Sequence, residues 1–332
     1  MDDSISPCGR RCRASLSAML RDAVLALAAG DTVKAVVTGM PISAGIVRRF
    51  VAGETVADVV ATAGDLADVG LHATIDFLGE DVTDIGQAEK TRDTYLELLA
   101  GLHTTRRGGH RLSATAEVSI KLSALGQGLG SEGATIALAN ARAIAAAATE
   151  AGTTVTVDAE DHTSTDSTLG IIATLREDYP MTGAVVQAGL RRTEADCHML
   201  AGAGSRVRLC KGAYREPDDV AFTKKGDIDR SYVRCMKILL AGKGFPMLAT
   251  HDPRLIEIAA ALAARYGRAS GSFEYQMLHG VRPDEQRRLA ARGETVRVYV
   301  PFGDQWYGYL MRRMAEKPAN TAVFLRSLVT KK

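Results

Sequence analysis

The chain has few cysteines, little net charge and no long apolar run. Its five cysteines are an odd number and lie scattered along 332 residues. That is unlike a disulfide framework and fits a reducing, cytosolic compartment best. Cys8 and Cys12 sit one helical turn apart, but no second pair completes a zinc site, so no metal is expected. Forty-one basic residues (Lys and Arg) against 39 acidic residues leave a net charge of +2. So weak a field gives no ground for a nucleic-acid partner. The one basic run, Gly9 to Arg13, reads as a solvated arm. No uninterrupted apolar run reaches membrane-spanning length. The longest alanine-rich stretch, Ala134 to Ala151, is broken by Asn140, Arg142 and Glu150 and reads as a helix. The first strongly apolar stretch, Val24 to Ala29, is short and follows acidic residues, unlike a secretory signal.

What is present is globular: 46% hydrophobic and 24% charged residues, enough to bury a core without disulfides. Residues 14 to 70 are mostly helical in pattern, with a break at Gly39-Met40-Pro41. After residue 70 the rhythm changes. Eight short apolar or alternating runs recur: HATIDFL, EVSIKLS, TVTVDAE, AVVQAG, RVRLCKG, FPMLATH, SFEYQML and VRVYVPF. Helical stretches such as PRLIEIAAALAARYG separate them. Strands alternating with helices predict a parallel sheet. Eight units over about 250 residues predict an α/β fold of the (β/α)8 barrel type. The expected organisation is a helical arm over 1–70 packing on a barrel over 71–332, with a last helix near Tyr309 to Lys317. A doubly wound open sheet is the alternative.

Polar residues gather late in seven of these strands. Lys121, Asp158, Gln187, Lys211, Thr250 with His251, Glu274 with Gln276, and Tyr299 all follow this rule, at the end where barrels build active sites. The sequence HDP at 251–253 also suits a helix start. GLGSEG, Gly128 to Gly133, matches a dinucleotide fingerprint in form. However, SALGQ separates it from the strand, and Lys121 interrupts that strand. It reads instead as a flexible loop.

The segment YLMRRMAEKPAN, 309–320, places Arg312 beside Arg313 and ahead of Glu316 on a helix for which Asp304 is the expected N-cap. Glu316 is spaced to touch either arginine. One reading is a solvated ion pair. The other is a clamp for an anion, carboxylate or phosphate, which guanidinium groups bind in bidentate fashion.

Taken in order, VSIKLSALG, VDAED, VVQAG, RVRLCKGAY, ATHD, FEYQMLHG and VRVYVPFGDQWYGYLMRRMAEKPAN resemble the proline dehydrogenases. These flavin enzymes occur alone or as one domain of bifunctional proline-utilisation proteins. The resemblance runs from about residue 70 to the end of the chain, and the length suits the monofunctional form. It implies FAD-dependent oxidation of L-proline to Δ1-pyrroline-5-carboxylate, with electrons passed to a quinone. A membrane quinone in turn implies a cytoplasmic protein peripheral to the inner face of the membrane. By the same resemblance Arg312 and Arg313 bind the proline carboxylate and Glu316 orients them. Lys121 lies near the carboxylate and the flavin, and Asp158 is a partner of Lys121 or of the arginines. Tyr299 and Leu278 wall the proline ring. Gln187, Arg208, Lys211, Gly212, Tyr214, Thr250, His251 and Glu274 fall on the cofactor side. Arg215 departs from the family, which often carries an aromatic residue there. The competing readings are a Schiff-base aldolase or lyase using Lys121 and a small-acid binding protein without turnover.

Overall fold

The computed structural model describes residues 47–80 and 82–315, the side chains of 312–315 excepted. The part of the expected helical arm before residue 47 lies outside the described residues, as do Cys8 and Cys12. The arm's second helix is present as α1, Val56–Asp68. Thr55 and Asp58 cap it reciprocally. The Thr55 hydroxyl accepts from the Asp58 N–H, and the Asp58 carboxylate accepts from the Thr55 N–H.

Eight parallel strands close into a barrel: β1 His72–Phe77, β2 Ala116–Ile120, β3 Val155–Val157, β4 Gly183–Gln187, β5 Arg206–Cys210, β6 Phe245–Ala249, β7 Glu274–Leu278 and β8 Val296–Phe302. All eight lie where the alternating runs predict them, and the open-sheet alternative is excluded. β1 pairs with both β2 and β8, which closes the seam.

The connecting helices are α2 Ile85–Thr104, α3 Gly133–Ala151, α4 Thr165–Asp178, α5 Thr193–Leu200, α6 Lys225–Ala241, α7 Pro253–Arg265 and α8 Pro283–Ala291. Asp252 caps α7 by accepting from the Arg254 N–H, with Pro253 in the first turn, as HDP predicts. GLGSEG ends where α3 starts, well beyond the end of β2. At Gly133 a Cβ would stand 2.3 Å from the Gln127 carbonyl oxygen, so this glycine serves chain packing. A two-stranded hairpin, Arg106–Arg107 with His110–Arg111, precedes β2 and carried no signal in the sequence reading.

Two features depart from a plain barrel. α1 packs on β1, β8 and α2, so it fills the place in the outer ring between β8 and β1. The helix after β8, α9 Trp306–Ala315, therefore has no place in that ring. It packs with Phe50, Val51 and Leu78 in a small cluster apart from the main core. α9 begins at Trp306, past Asp304, so Asp304 belongs to the turn rather than to the cap.

The main core lies between strands and helices, with Ile75, Val118, Ile120, Val157, Leu209, Val298 and Val300 all fully buried. Alternate residues of each strand point the other way, into the barrel. Here that interior is largely polar. Its lower layer joins Glu117 to Arg206 at 2.6 Å and Glu274 to Arg297 at 2.9 Å.

Candidate active site

The polar alternation continues upward through the barrel. Arg208, one repeat above Arg206, is buried. Its guanidinium donates to Ser119 Oγ at 2.9 Å, Thr74 Oγ1 at 3.1 Å and Asp158 Oδ1 at 2.5 Å. Its Cζ lies 5.4 Å from the centre of the Tyr299 ring. Ser119 also donates to Asp158 Oδ1 at 2.8 Å, and Tyr299 Oη donates to Asp158 Oδ2 at 2.7 Å. Both oxygens of Asp158 are thus engaged, one by a cation and a hydroxyl, the other by a phenol. Burial, then Asp158 and Asp76, push the Tyr299 hydroxyl well above the usual phenol range, so it stays a donor.

Lys121 stands just past the end of β2. Its ammonium donates to both oxygens of Asp76, at 2.7 and 2.6 Å. Tyr299 Oη is 3.4 Å away, Asp158 Oδ2 3.9 Å and Glu80 Oε1 4.0 Å. Burial works against the charged amine, but Asp76, then Asp158 and Glu80, outweigh it and hold Lys121 above the ordinary lysine value. Burial raises the Asp76 carboxyl to about 6 in spite of Lys121. The nearest partner of Lys121 is therefore Asp76 rather than Asp158. Sequence reasoning missed Asp76. Its signal was the alternation Thr74, Asp76 inside HATIDFL, the one strand to which no polar end was assigned. Glu80, three residues beyond the strand, was missed with it.

These groups form one end of a cleft of about 520 Å³, within the range of small-molecule sites. Val185, Gln187, Cys210, Lys211, Gly212, Tyr214, Thr250 and His251 line it as well. Lys211 Nζ sits 2.5 Å from Asp229 Oδ1 and 3.6 Å from Asp252 Oδ2. The Gln187 amide donates to the Glu160 carbonyl at 2.7 Å, which leaves its oxygen toward Gly212. Gly212 has φ +99, and a Cβ there would stand 3.1 Å from Gln187 Oε1. Glycine keeps the backbone open at this point of the cleft. His251 Nε2 accepts from the Leu278 N–H at 2.9 Å, and Arg282 donates to the His251 carbonyl at 2.7 Å. His251 thereby ties the end of β6 to Leu278, and both line the cleft.

Lys121, Asp158, Tyr299, Leu278, Gln187, Arg208, Lys211, Gly212, Tyr214, Thr250 and His251 all line this cleft. Glu274 does not. As the first residue of β7 it lies in the lower layer, 1% exposed and paired with Arg297, where the barrel interior separates it from the mouth. Arg312 and Arg313 stand on α9, but their side chains, and Glu316, lie outside the described residues. Tyr309 of the same helix lines the cleft.

Fold and site together define a (β/α)8 barrel enzyme. One cleft brings the cluster around Lys121 together with Arg208 and Lys211. A profile of the proline dehydrogenase family matches residues 59–326, and the chain belongs to that family. It is 36% identical over 284 residues to proline dehydrogenase 1 of Bacillus subtilis, covering 86% of this chain and 91% of that one. It is likewise 36% identical over 286 residues to a proline dehydrogenase of Deinococcus radiodurans, covering 86% and 90%. Among solved structures it resembles proline utilization A (PutA) of Bdellovibrio bacteriovorus inactivated by N-propargylglycine, with a TM-score of 0.74 at 24% identity. That match covers 82% of this chain but only 33% of the PutA chain, and at this identity it speaks for the fold. Among the described residues no helix is long and apolar enough to cross a membrane.

Proposed function

We propose that the protein oxidises L-proline to Δ1-pyrroline-5-carboxylate with FAD as hydride acceptor, in proline catabolism, and that a quinone re-oxidises the flavin. The observation that carries this reading is the Lys121, Asp158 and Tyr299 constellation in the cleft, in a chain of this family. The residues present fit a flavin dinucleotide. Arg208 and Lys211 supply positive charge along the cleft, Gly212 leaves room over Gln187, and the half-exposed Tyr214 ring stands at the rim. FAD bound there supplies a two-electron acceptor, and a neighbouring cation favours its reduced anion.

The chain's own residues bind and orient the substrate. Lys121 supports the carboxylate, and we assign Arg312 and Arg313, with Glu316 orienting them, to the same group. Positions 309, 312 and 313 have the spacing of one helix face, and Tyr309 lines the cleft. Leu278 and Tyr299 wall the ring. The phenol is held by Asp158, which Arg208 and Ser119 hold in turn. Fixing the substrate at one height is a large part of such catalysis. The ring nitrogen sheds its proton before hydride leaves the adjacent carbon. A quinone acceptor would bring the protein to the inner face of a membrane as a peripheral visitor.

The lyase alternative asks Lys121 for a lowered pKa and a free electron pair. Asp76 imposes the opposite. The experiment is an anaerobic absorbance spectrum of the FAD-loaded protein before and after L-proline. Bleaching of the flavin bands is expected. Flavin that proline leaves oxidised would overturn the substrate assignment, and failure to take up FAD would overturn the cofactor.

A further inference from the structure

Asp76 is the most buried carboxylate of the cleft, 1% exposed. It spends both oxygens on one amine, Lys121, whose side chain is itself only 11% exposed. A desolvated lysine without a partner loses its proton readily. The groups facing Lys121 come from four places. β1 and the turn after it supply Asp76 and Glu80, the end of β3 supplies Asp158 with Glu160 beyond it, β8 supplies Tyr299, and β5 supplies Arg208 behind Asp158. Among these described groups none duplicates Asp76. Asp158 is already bonded to Arg208, Ser119 and Tyr299, and lies 3.9 Å from the amine. Glu80 stands at 4.0 Å and is a quarter exposed. The Tyr299 hydroxyl gives its proton to Asp158 and carries no charge.

We propose that Asp76 is a positioning residue: it anchors the Lys121 ammonium at the end of the cleft and keeps it cationic, so that it can receive a substrate carboxylate. The inference rests on the proline reading above and adds a residue to it. Asp76 touches neither substrate nor cofactor in this scheme and acts through Lys121, with the Tyr299 and Tyr95 hydroxyls as its other neighbours. Without it, Lys121 titrates within the working pH range, and carboxylate binding then follows the lysine's charge.

The test uses the FAD-loaded protein and cyclopentanecarboxylate, a ring acid with no amine to titrate between pH 7 and 10. Its dissociation constant is measured by calorimetry at each pH. In the wild type it should stay flat within about twofold. In Asp76→Asn it should rise about tenfold per pH unit above a midpoint inside that range, the slope of one lost proton. Asp76→Glu should restore the flat profile, and Lys121→Met should bind weakly at every pH. An Asp76→Asn profile as flat as the wild type's, whether or not binding is weaker, overturns the inference, because a merely structural role moves affinity without moving its pH dependence. Should the asparagine variant fail to hold flavin, Asp76→Ser is read in the same way. Wild-type protein that proline does not reduce overturns the proline reading and this inference with it. Reduction by proline beside a flat variant profile overturns this inference alone.

Discussion

Replacing Glu274 by alanine should weaken the whole barrel and leave the cleft working. Glu274 accepts from Arg297 Nε at 2.9 Å and from the Gln276 amide, with all three side chains buried. Removing one partner of a buried ion pair costs about 3–5 kcal/mol, because the other charge is stranded. Here the cost falls at the lower end, about 3 kcal/mol. Glu117 Oε1 lies 3.8 Å from Arg297 Nε, and the Ala73 carbonyl still accepts from the guanidinium at 2.9 Å. At roughly 2–4 °C per kcal/mol for a domain of this size, Tm should drop by about 6–12 °C. The assay is thermal melting by circular dichroism, paired with flavin content and KM for proline at 20 °C. Adding Arg297→Met should return part of the loss, since it removes the stranded charge. An unchanged Tm together with lost flavin would refute the reasoning and put Glu274 on the cofactor side.

Arg312→Ala and Arg313→Ala should each raise KM for proline at least about tenfold, the loss of one charge-assisted hydrogen bond. Steady-state kinetics check this, and an unchanged KM in both would remove the clamp. Stability should carry a signature of Asp76. Its carboxyl is pushed up to about 6 from an ordinary 3.8, so between those values the folded state keeps a proton that the unfolded chain releases. This group therefore withdraws stability as pH rises from about 4 through about 6. Asp76→Asn should flatten that part of the curve in urea denaturation. Glu117 works with the opposite sign. Burial opposes its charge, but Arg206, Arg297 and Arg208 outweigh burial and hold it below the carboxylate range. Its contribution is full above about pH 4.5 and is lost as pH falls, in the variant as in the wild type.

The strands were legible because a period of two, bounded by turn residues, survives even when both faces are buried. The polar positions were legible for the same reason, but only as candidates. A strand end is polar in most proteins, so Asp76 inside HATIDFL passed as ordinary while Glu274 inside SFEYQML was taken for a mouth residue. Height within the barrel separates these two, and height depends on shear between strands. Met247 faces Glu274 and Tyr299 faces Leu278. No single run of sequence carries that stagger. The partner of Lys121 was hidden likewise, since Asp76 and Lys121 are 45 positions apart. The place of α9 outside the ring was equally invisible, because it follows from α1 having taken the eighth position.

The seam between β1 and β8 bears on how the protein comes to exist. Arg297 donates to the Ala73 carbonyl across 224 positions of chain. The first strand therefore waits for one neighbour until nearly all the rest has been made, with an unsatisfied edge meanwhile. Such long-range closure is slow to form. α1 shortens the exposure, because it can cover β1 and α2 before β8 arrives. A nascent chain thus carries its own provisional cover for the open seam, and substitutions in α1 that spare the finished enzyme would still show as aggregation during synthesis.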